Sequence, residues 1–147
     1  FDPFLAGRRS PEMNPSASGL FRGIRLNHTR GHFVRAVLEG VAYDLRDCLD
    51  VIRGMGKGSL AVTLSGGGAR SPLWTGIIAD VFNSMVMISG AEEQACFGTA
   101  LLAGVGSGVY GSYRDAAALA PKPFGMVEPD PKRARVYEES YARWRAR

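Results

Sequence analysis

The sequence predicts an α/β fold with parallel-type crossovers. Three observations lead there: a long amphipathic helical pattern over residues 30–53, two short apolar runs at 60–65 and 85–89, and a helical pattern after each run. From residue 30 the order is therefore helix, strand, helix, strand, helix. Two strands make too small a sheet to stand alone with both faces covered. The missing strands are expected from "LFRGIRL", from a partner, or from residues that precede Phe1.

Taken in order, residues 1–19 hold Pro3, Pro11 and Pro15 with Gly7, Ser10, Ser16 and Ser18, and are expected to be irregular loop. "LFRGIRL" (20–26) alternates and reads as a strand or strand edge. Thr29 is placed to cap a helix from about Arg30 to Arg53. Val34, Leu38, Val41, Leu45, Leu49 and Ile52 recur on one apolar face of it. Gly40 costs that helix about 1 kcal/mol relative to alanine, which points to another backbone passing close by.

"GMGKGS" (54–59) ends the helix, and "LAVTLS" (60–65) is suited to a buried strand. Ser71 and Pro72 supply an N-cap and a first-turn proline for a helix to about Asn83. "MVMIS" (85–89) is the second strand, and an Ala/Gly-rich helix follows from about Gln94 to Gly106. "SYRD" (112–115) has capping-box spacing for a short helix, and Asp130-Pro131 starts the last one, 130–147.

Composition removes several functions. The 147 residues are the size of one domain, and 46% hydrophobic with 22% charged residues is ordinary for a globular chain. The net charge is +4, with basic residues scattered except near the C-terminus, where Glu138 and Glu139 interrupt them. A nucleic-acid partner needs a clustered basic face, so none is expected. Cys48 and Cys96 lack metal or disulfide spacing and read as small buried hydrophobes in a reducing compartment. No apolar run approaches the roughly 18 residues of a membrane span, and the opening lacks a signal-peptide pattern. The expected setting is cytoplasmic, away from membranes. Because Phe1 stands inside a loop-like stretch, the sequence is expected to be a fragment.

The stretch "VTLSGGGARSPLW" (62–74) joins strand to helix through Gly66, Gly67 and Gly68. Such a junction directs backbone N–H groups and the positive end of a helix dipole into the space above it. Three consecutive glycines have two explanations, close packing and a phosphate or nucleotide against bare backbone, and the run favours the ligand. Gly66-x-Gly68-x-x-Ser71 nearly matches a dinucleotide fingerprint, but the next strand ends in Ile88-Ser89-Gly90 without the acidic residue that motif needs. "GMGKGS" imitates half a Walker loop, yet Lys57 is followed by Gly58 and the segment precedes a strand, so it is rejected.

"LAGRRSPEMNPSASGLFRGIRLNHTRGHFVRAVLEGVAYDLRDCL", then "LSGGGARSPLWTGIIADVFN" and "EEQACFGTALLAG", resemble in collinear order the C-terminal domain of the FGGY carbohydrate kinases, and among them the xylulokinases. The resemblance covers roughly residues 5–108. It implies an actin-like, ribonuclease-H-like ATPase fold, of which residues 1–147 are the C-terminal, nucleotide-binding portion and are incomplete without upstream strands. It also implies ATP and Mg2+ as cofactors and phosphoryl transfer to a ketose or polyol hydroxyl, D-xylulose first. By that match Gly66, Gly67, Gly68, Ala69, Arg70 and Ser71 form the ATP-binding loop. The family's general-base aspartate is expected upstream, so neither a catalytic residue nor a metal ligand is assigned here. The implied partners are the N-terminal kinase domain and the sugar.

The chain departs from the family's Gly-Glu-Arg-x-Pro at Gly7-Arg8-Arg9-Ser10-Pro11, and carries Asn14 where Asp is frequent. Both departures bear on the acceptor. Glu39 reads as a structural hydrogen-bonding partner, with a catalytic acid as the lesser alternative, and Glu92 and Glu93 as helix-start charges. His28 and His32 read as capping and packing residues, since no third ligand has matching spacing. Trp74 reads as core before base platform. Tyr137, Tyr141 and Trp144 read as the docking stripe of the last helix, with a homodimer interface as the other option. A non-catalytic nucleotide-binding module from a split or decayed kinase is the alternative to an enzyme.

Overall fold

A computed structural model describes residues 1–56, 61–90 and 93–146. The chain divides into two compact units: Phe1–Leu60 with Ile77–Ser84 and Pro129–Arg147, and Ala61–Gly76 with Met85–Glu128.

The first unit is helical. Its long helix α1 (Arg30–Gly54) begins at Thr29, whose N–H donates to His32 Nδ1 at 3.1 Å. The last helix of the chain, Pro131–Arg145, opens on the Asp130 carboxylate, which accepts from the N–H groups of Lys132 and Arg133 at 2.8 and 3.1 Å. Between them lies Ile77–Phe82, the second half of a helix that starts at Pro72. That helix stops at Asn83, whose φ of 47° is the left-handed conformation asparagine tolerates at a helix end.

The core of this unit is aromatic. Tyr43 lies 5.9 Å from both the Tyr141 and Trp144 ring centroids and 6.3 Å from that of Tyr137. Ile77, Ile78, Ala79, Val81 and Phe82 are buried, as are Ala42 and Leu49. The expected docking role of the Tyr137, Tyr141 and Trp144 stripe is thus observed. Gly40 also does what its cost implied: a Cβ there would overlap the carbonyl oxygen of Phe1. That oxygen accepts from Trp144 Nε1 at 3.2 Å.

The apolar face predicted for α1 is a correction. Val34, Leu45 and Ile52 are exposed, Leu38 and Val41 are half-buried, and of the six only Leu49 is buried. The buried side is Gly40, Ala42, Tyr43, Arg46, Asp47 and Leu49, chosen by the groups it meets. Arg46 donates to the Val81 carbonyl at 2.9 Å and pairs with Glu138 at 2.6 Å, while Asp47 accepts from Tyr141 at 3.1 Å and pairs with Arg145 at 3.0 Å.

"LFRGIRL" is a second correction. Strand β1 (Asp2–Pro3) pairs antiparallel with β2 (Gly19–Leu20), and nothing beyond Leu20 in that segment is strand. Gly23, at φ 70°, turns the chain away. Residues 1–19 are mostly irregular as expected, but pinned at both ends by this pair and in the middle by mutual backbone bonds between Arg8 and Asn14.

The second unit carries the sheet. Strand β3 (Val62–Leu64) runs parallel to β4 (Val86–Ile88), as the crossover pattern predicted. Strand β5 (Gly125–Val127) pairs antiparallel with β4, giving the order β3-β4-β5. This third strand comes from none of the expected sources. Three residues starting on a glycine carry no local strand signal, and only pairing defines them. The remaining helices of this unit are α3 (Gln94–Gly106) and α4 (Tyr113–Ala117), which begin where the sequence placed them. Ser112 caps α4 by accepting from the Asp115 N–H at 3.1 Å. Cys96 on α3 is exposed and Cys48 on α1 is half-buried, so neither is the fully buried hydrophobe expected. Among the described residues, no helix is long and apolar enough to cross a membrane.

Candidate functional site: the glycine turn

At the end of β3 the chain passes Ser65 and Gly66 and tightens into a 3-10 turn, Gly67–Arg70, which hands over to helix α2 (Pro72–Phe82). Within the second unit, Ser71 joins the two: its N–H donates to the Gly68 carbonyl at 3.1 Å, and its Oγ accepts from the Trp74 N–H at 3.3 Å. Pro72 at the first helical position lacks the N–H that would otherwise be unsatisfied there. The Ala69 N–H donates to the Gly66 carbonyl at 3.1 Å. The expectation of N–H groups aimed outward is therefore not met at Ala69 or Ser71, whose donors hold the turn itself.

The three glycines have three different explanations. Gly66 has φ 74°, the left-handed region that side chains rarely adopt, so the turn itself requires glycine. At Gly68 a Cβ would stand 3.1 Å from the Trp74 ring, a tight approach that favours glycine unless the ring gives way. At Gly67 neither applies: its φ is not left-handed, and a Cβ there would meet nothing within 4 Å. Bare backbone at Gly67 is left facing open space. Trp74 is half-buried and its ring packs against the turn at Gly68, so it is not the fully buried core residue expected.

A cavity of about 220 Å³ opens beside the turn. Gly66, Ala69 and Arg70 line it from the turn, which brings together half of the expected loop; Gly67, Gly68 and Ser71 do not line it. Its other lining residues are Ile88, Ser89, Gly90 and Phe124. Sequence reasoning missed these because sheet pairing, not sequence proximity, carries them there. The one available signal was Gly90, a glycine directly after a strand. The Ser89 N–H donates to the Leu64 carbonyl at 2.8 Å, and Gln94 Nε2 donates to Ser89 Oγ.

The remaining candidates have structural roles. Glu39 Oε1 accepts from Arg35 Nε at 2.7 Å and from the Tyr137 hydroxyl at 2.8 Å. Burial, followed by the Glu39 bond, pushes the Tyr137 phenol above its ordinary value, with Arg35 opposing. His28 Nδ1 accepts from the Arg25 N–H at 3.2 Å, and the His28 and His32 rings stack with centroids 5.2 Å apart. Among the described residues no group of three or more His, Cys, Asp or Glu is placed to hold a metal ion. Glu92 lies outside the described residues. Glu93 precedes α3 and makes no side-chain cap bond.

Arg8 is committed inside the helical unit. It pairs with Asp47 and, at 3.4 Å, with Asp44, and its guanidinium carbon lies 5.1 Å from the Phe4 ring centroid and 5.8 Å from that of Trp144. Burial lifts the Asp44 carboxyl above the usual range, and Arg8 opposes that lift. Asn14 Oδ1 accepts from the Ser16 N–H at 3.1 Å and shapes the loop. The 490 Å³ cavity here holds Arg8, Arg22 and Arg145, each already paired, Arg22 with Asp2 at 3.1 Å.

With this geometry in hand, residues 1–107 match the FGGY family of carbohydrate kinases, C-terminal domain. The chain is 34% identical over 146 residues to the xylulose kinase of Staphylococcus epidermidis, covering 99% of this chain and 29% of that protein. It is 38% identical over 103 residues to the gluconokinase of Bacillus licheniformis, covering 69% of this chain and 20% of the relative. The crystal structure of xylulose kinase from Rhodospirillum rubrum superposes with a TM-score of 0.78 at 35% identity, over 99% of this chain and 29% of that one. The chain thus spans well under a third of the length of these relatives.

Proposed function

The chain belongs to the FGGY family of carbohydrate kinases, and we propose that it forms the nucleotide-binding portion of a kinase that moves the γ-phosphate of ATP to a hydroxyl of a ketose or polyol, D-xylulose first among them. Members of the family are ATP-dependent phosphotransferases, and the solved relatives carry the actin-like ATPase fold. The observation that carries the proposal is Gly67. Gly66 is set by its left-handed φ and Gly68 is favoured by the Trp74 ring, whereas Gly67 has neither constraint and leaves bare backbone at which we place the ligand.

The residues present fit part of a nucleotide. Gly66, Ala69 and Arg70 edge a cavity, and Ser71 fixes the turn to the helix that follows. ATP, when bound, supplies the phosphoryl group. For Mg2+ the described residues gather no carboxylate set of their own. Phosphates and residues outside this chain would hold it. Nor is a general base assigned to this chain. Phosphoryl transfer depends on positioning and charge stabilisation from both sides of a cleft, so this chain alone is expected to be inactive.

The test begins with the intact mass of the polypeptide that carries these residues. If it far exceeds that of 147 residues, coupled ADP release over ketoses, polyols and gluconate should be fastest with D-xylulose. Gluconate as the fastest acceptor would move the assignment toward the gluconokinase relatives. Absence of turnover with every acceptor would overturn the enzyme reading. A polypeptide no longer than these residues favours the second reading, a nucleotide-binding module from a split or decayed kinase. Sugar-dependent ADP release from the pure chain would overturn it.

A further inference from the structure

The cavity beside the glycine turn has a wall that the loop motif does not account for. We infer that Phe124 is the platform on which the base of the bound nucleotide stacks, an inference that rests on the nucleotide reading above.

The cavity's size is the first support. At about 220 Å³ it falls below the roughly 300–1,000 Å³ of pockets that enclose a whole drug-sized ligand, so it suits a base and not an entire nucleotide. Its lining is the second. Gly66, Ala69, Ile88, Gly90 and Phe124 offer backbone and apolar surface, with Arg70 and Ser89 as polar edges. A phosphate is gripped by converging cations and N–H groups, and here Arg70 is the one cation lining the space among the described residues. A flat heteroaromatic ring matches such a slot: apolar faces, polar rim.

The third support is how Phe124 is held. Its N–H donates to the Ile88 carbonyl at 3.1 Å, which fixes its backbone at the carboxyl end of β4. Gly90 allows that approach, because a Cβ there would collide with the Lys122 carbonyl oxygen. The side chain is nevertheless 76% exposed at the cavity. The anchored backbone leaves only the side-chain torsions of Phe124 to be ordered on stacking. The fourth is location. Ligands of α/β sheets bind outside the carboxyl ends of parallel strands, and here the ends of β3 and β4 lead to Gly66 and Ile88–Gly90.

The experiment is a ligand-observed NMR titration of the chain with ATP, and separately with inorganic tripolyphosphate, for the wild type, Phe124→Ala, Phe124→Trp and Gly67→Val. Phe124→Ala should weaken ATP binding roughly 5- to 100-fold, the range for removal of one stacking partner, and leave tripolyphosphate unchanged. Phe124→Trp should restore it. If Gly67→Val abolishes ATP binding while Phe124→Ala changes it less than twofold, the platform is wrong and the nucleotide loop stands. If Phe124→Ala weakens ATP and tripolyphosphate alike, the platform is likewise wrong. Wild-type chain that does not bind ATP overturns both.

Discussion

In the helical unit, Tyr43, Tyr137, Tyr141 and Trp144 are each at most 6% exposed, and around them Arg8 and Arg145 pair with Asp47 while Arg46 pairs with Glu138. In the sheet unit the buried apolar side chains are Val86, Ile88 and Ala116, and none of the 13 residues of α3 is buried although that helix is apolar on every side. Strand β3 pairs only with β4 among the described strands. A helix apolar all round belongs in an interior. The difference teaches where each unit gets its order: the first from its own side chains, the second from three short strands and a turn, with apolar surface left over. Segments with few buried contacts are also where binding loops tend to be found.

The comparison breaks first at Gly40. Valine there must displace the Phe1 carbonyl, which also holds Trp144, and should cost the helical unit about 3 kcal/mol in urea unfolding. A loss under half that size would mean the aromatic core is not the keystone of that unit. Arg8→Met comes next, at about 2 kcal/mol, because Asp47 loses one cation but keeps Arg145 and Tyr141. The same variant should bind ATP as the wild type does, and a changed affinity would show that the units do not divide structure from function.

The glycine turn sharpens the contrast at smaller cost. Gly66→Ala should lose about 1–2 kcal/mol through its left-handed φ, and Gly67→Ala should leave stability within about 0.5 kcal/mol while weakening ATP. Equal stability losses at both would remove the argument from Gly67. The smallest effect is electrostatic. The N–H groups of Arg133 and Lys132 hold the Asp130 carboxyl below its ordinary value, so its folded pKa lies below its unfolded one. Its contribution is complete above about pH 3.9 and disappears as pH falls through the depressed value. Thermal unfolding across the acid range should show that limb in the wild type and not in Asp130→Asn.

Helix starts were legible because caps are local: Thr29, Ser71-Pro72, Ser112 and Asp130-Pro131 each act on the turn that follows them. The buried face of α1 was not. Periodicity selected Val34, Leu45 and Ile52, whereas Gly40, Tyr43 and Asp47 are buried because Phe1, Trp144 and Tyr141 are what α1 meets. Strand β5 and Phe124 were invisible for a related reason, since neither is defined until β4 pairs with a segment some forty residues away. In the candidate site the glycine run was visible at once. Which glycine the fold itself leaves unexplained required φ angles and the position of Trp74.

The chain has two tryptophans, and they lie in different settings. Trp144 is enclosed among tyrosines, while Trp74 rests half-buried against Gly68 beside the turn. Their fluorescence should accordingly differ: a blue-shifted, quencher-resistant emission from Trp144, and a redder one from Trp74 that acrylamide reaches. The molecule therefore contains its own pair of optical probes, one for unfolding of the helices and one for occupancy of the turn, and needs no label to report them separately.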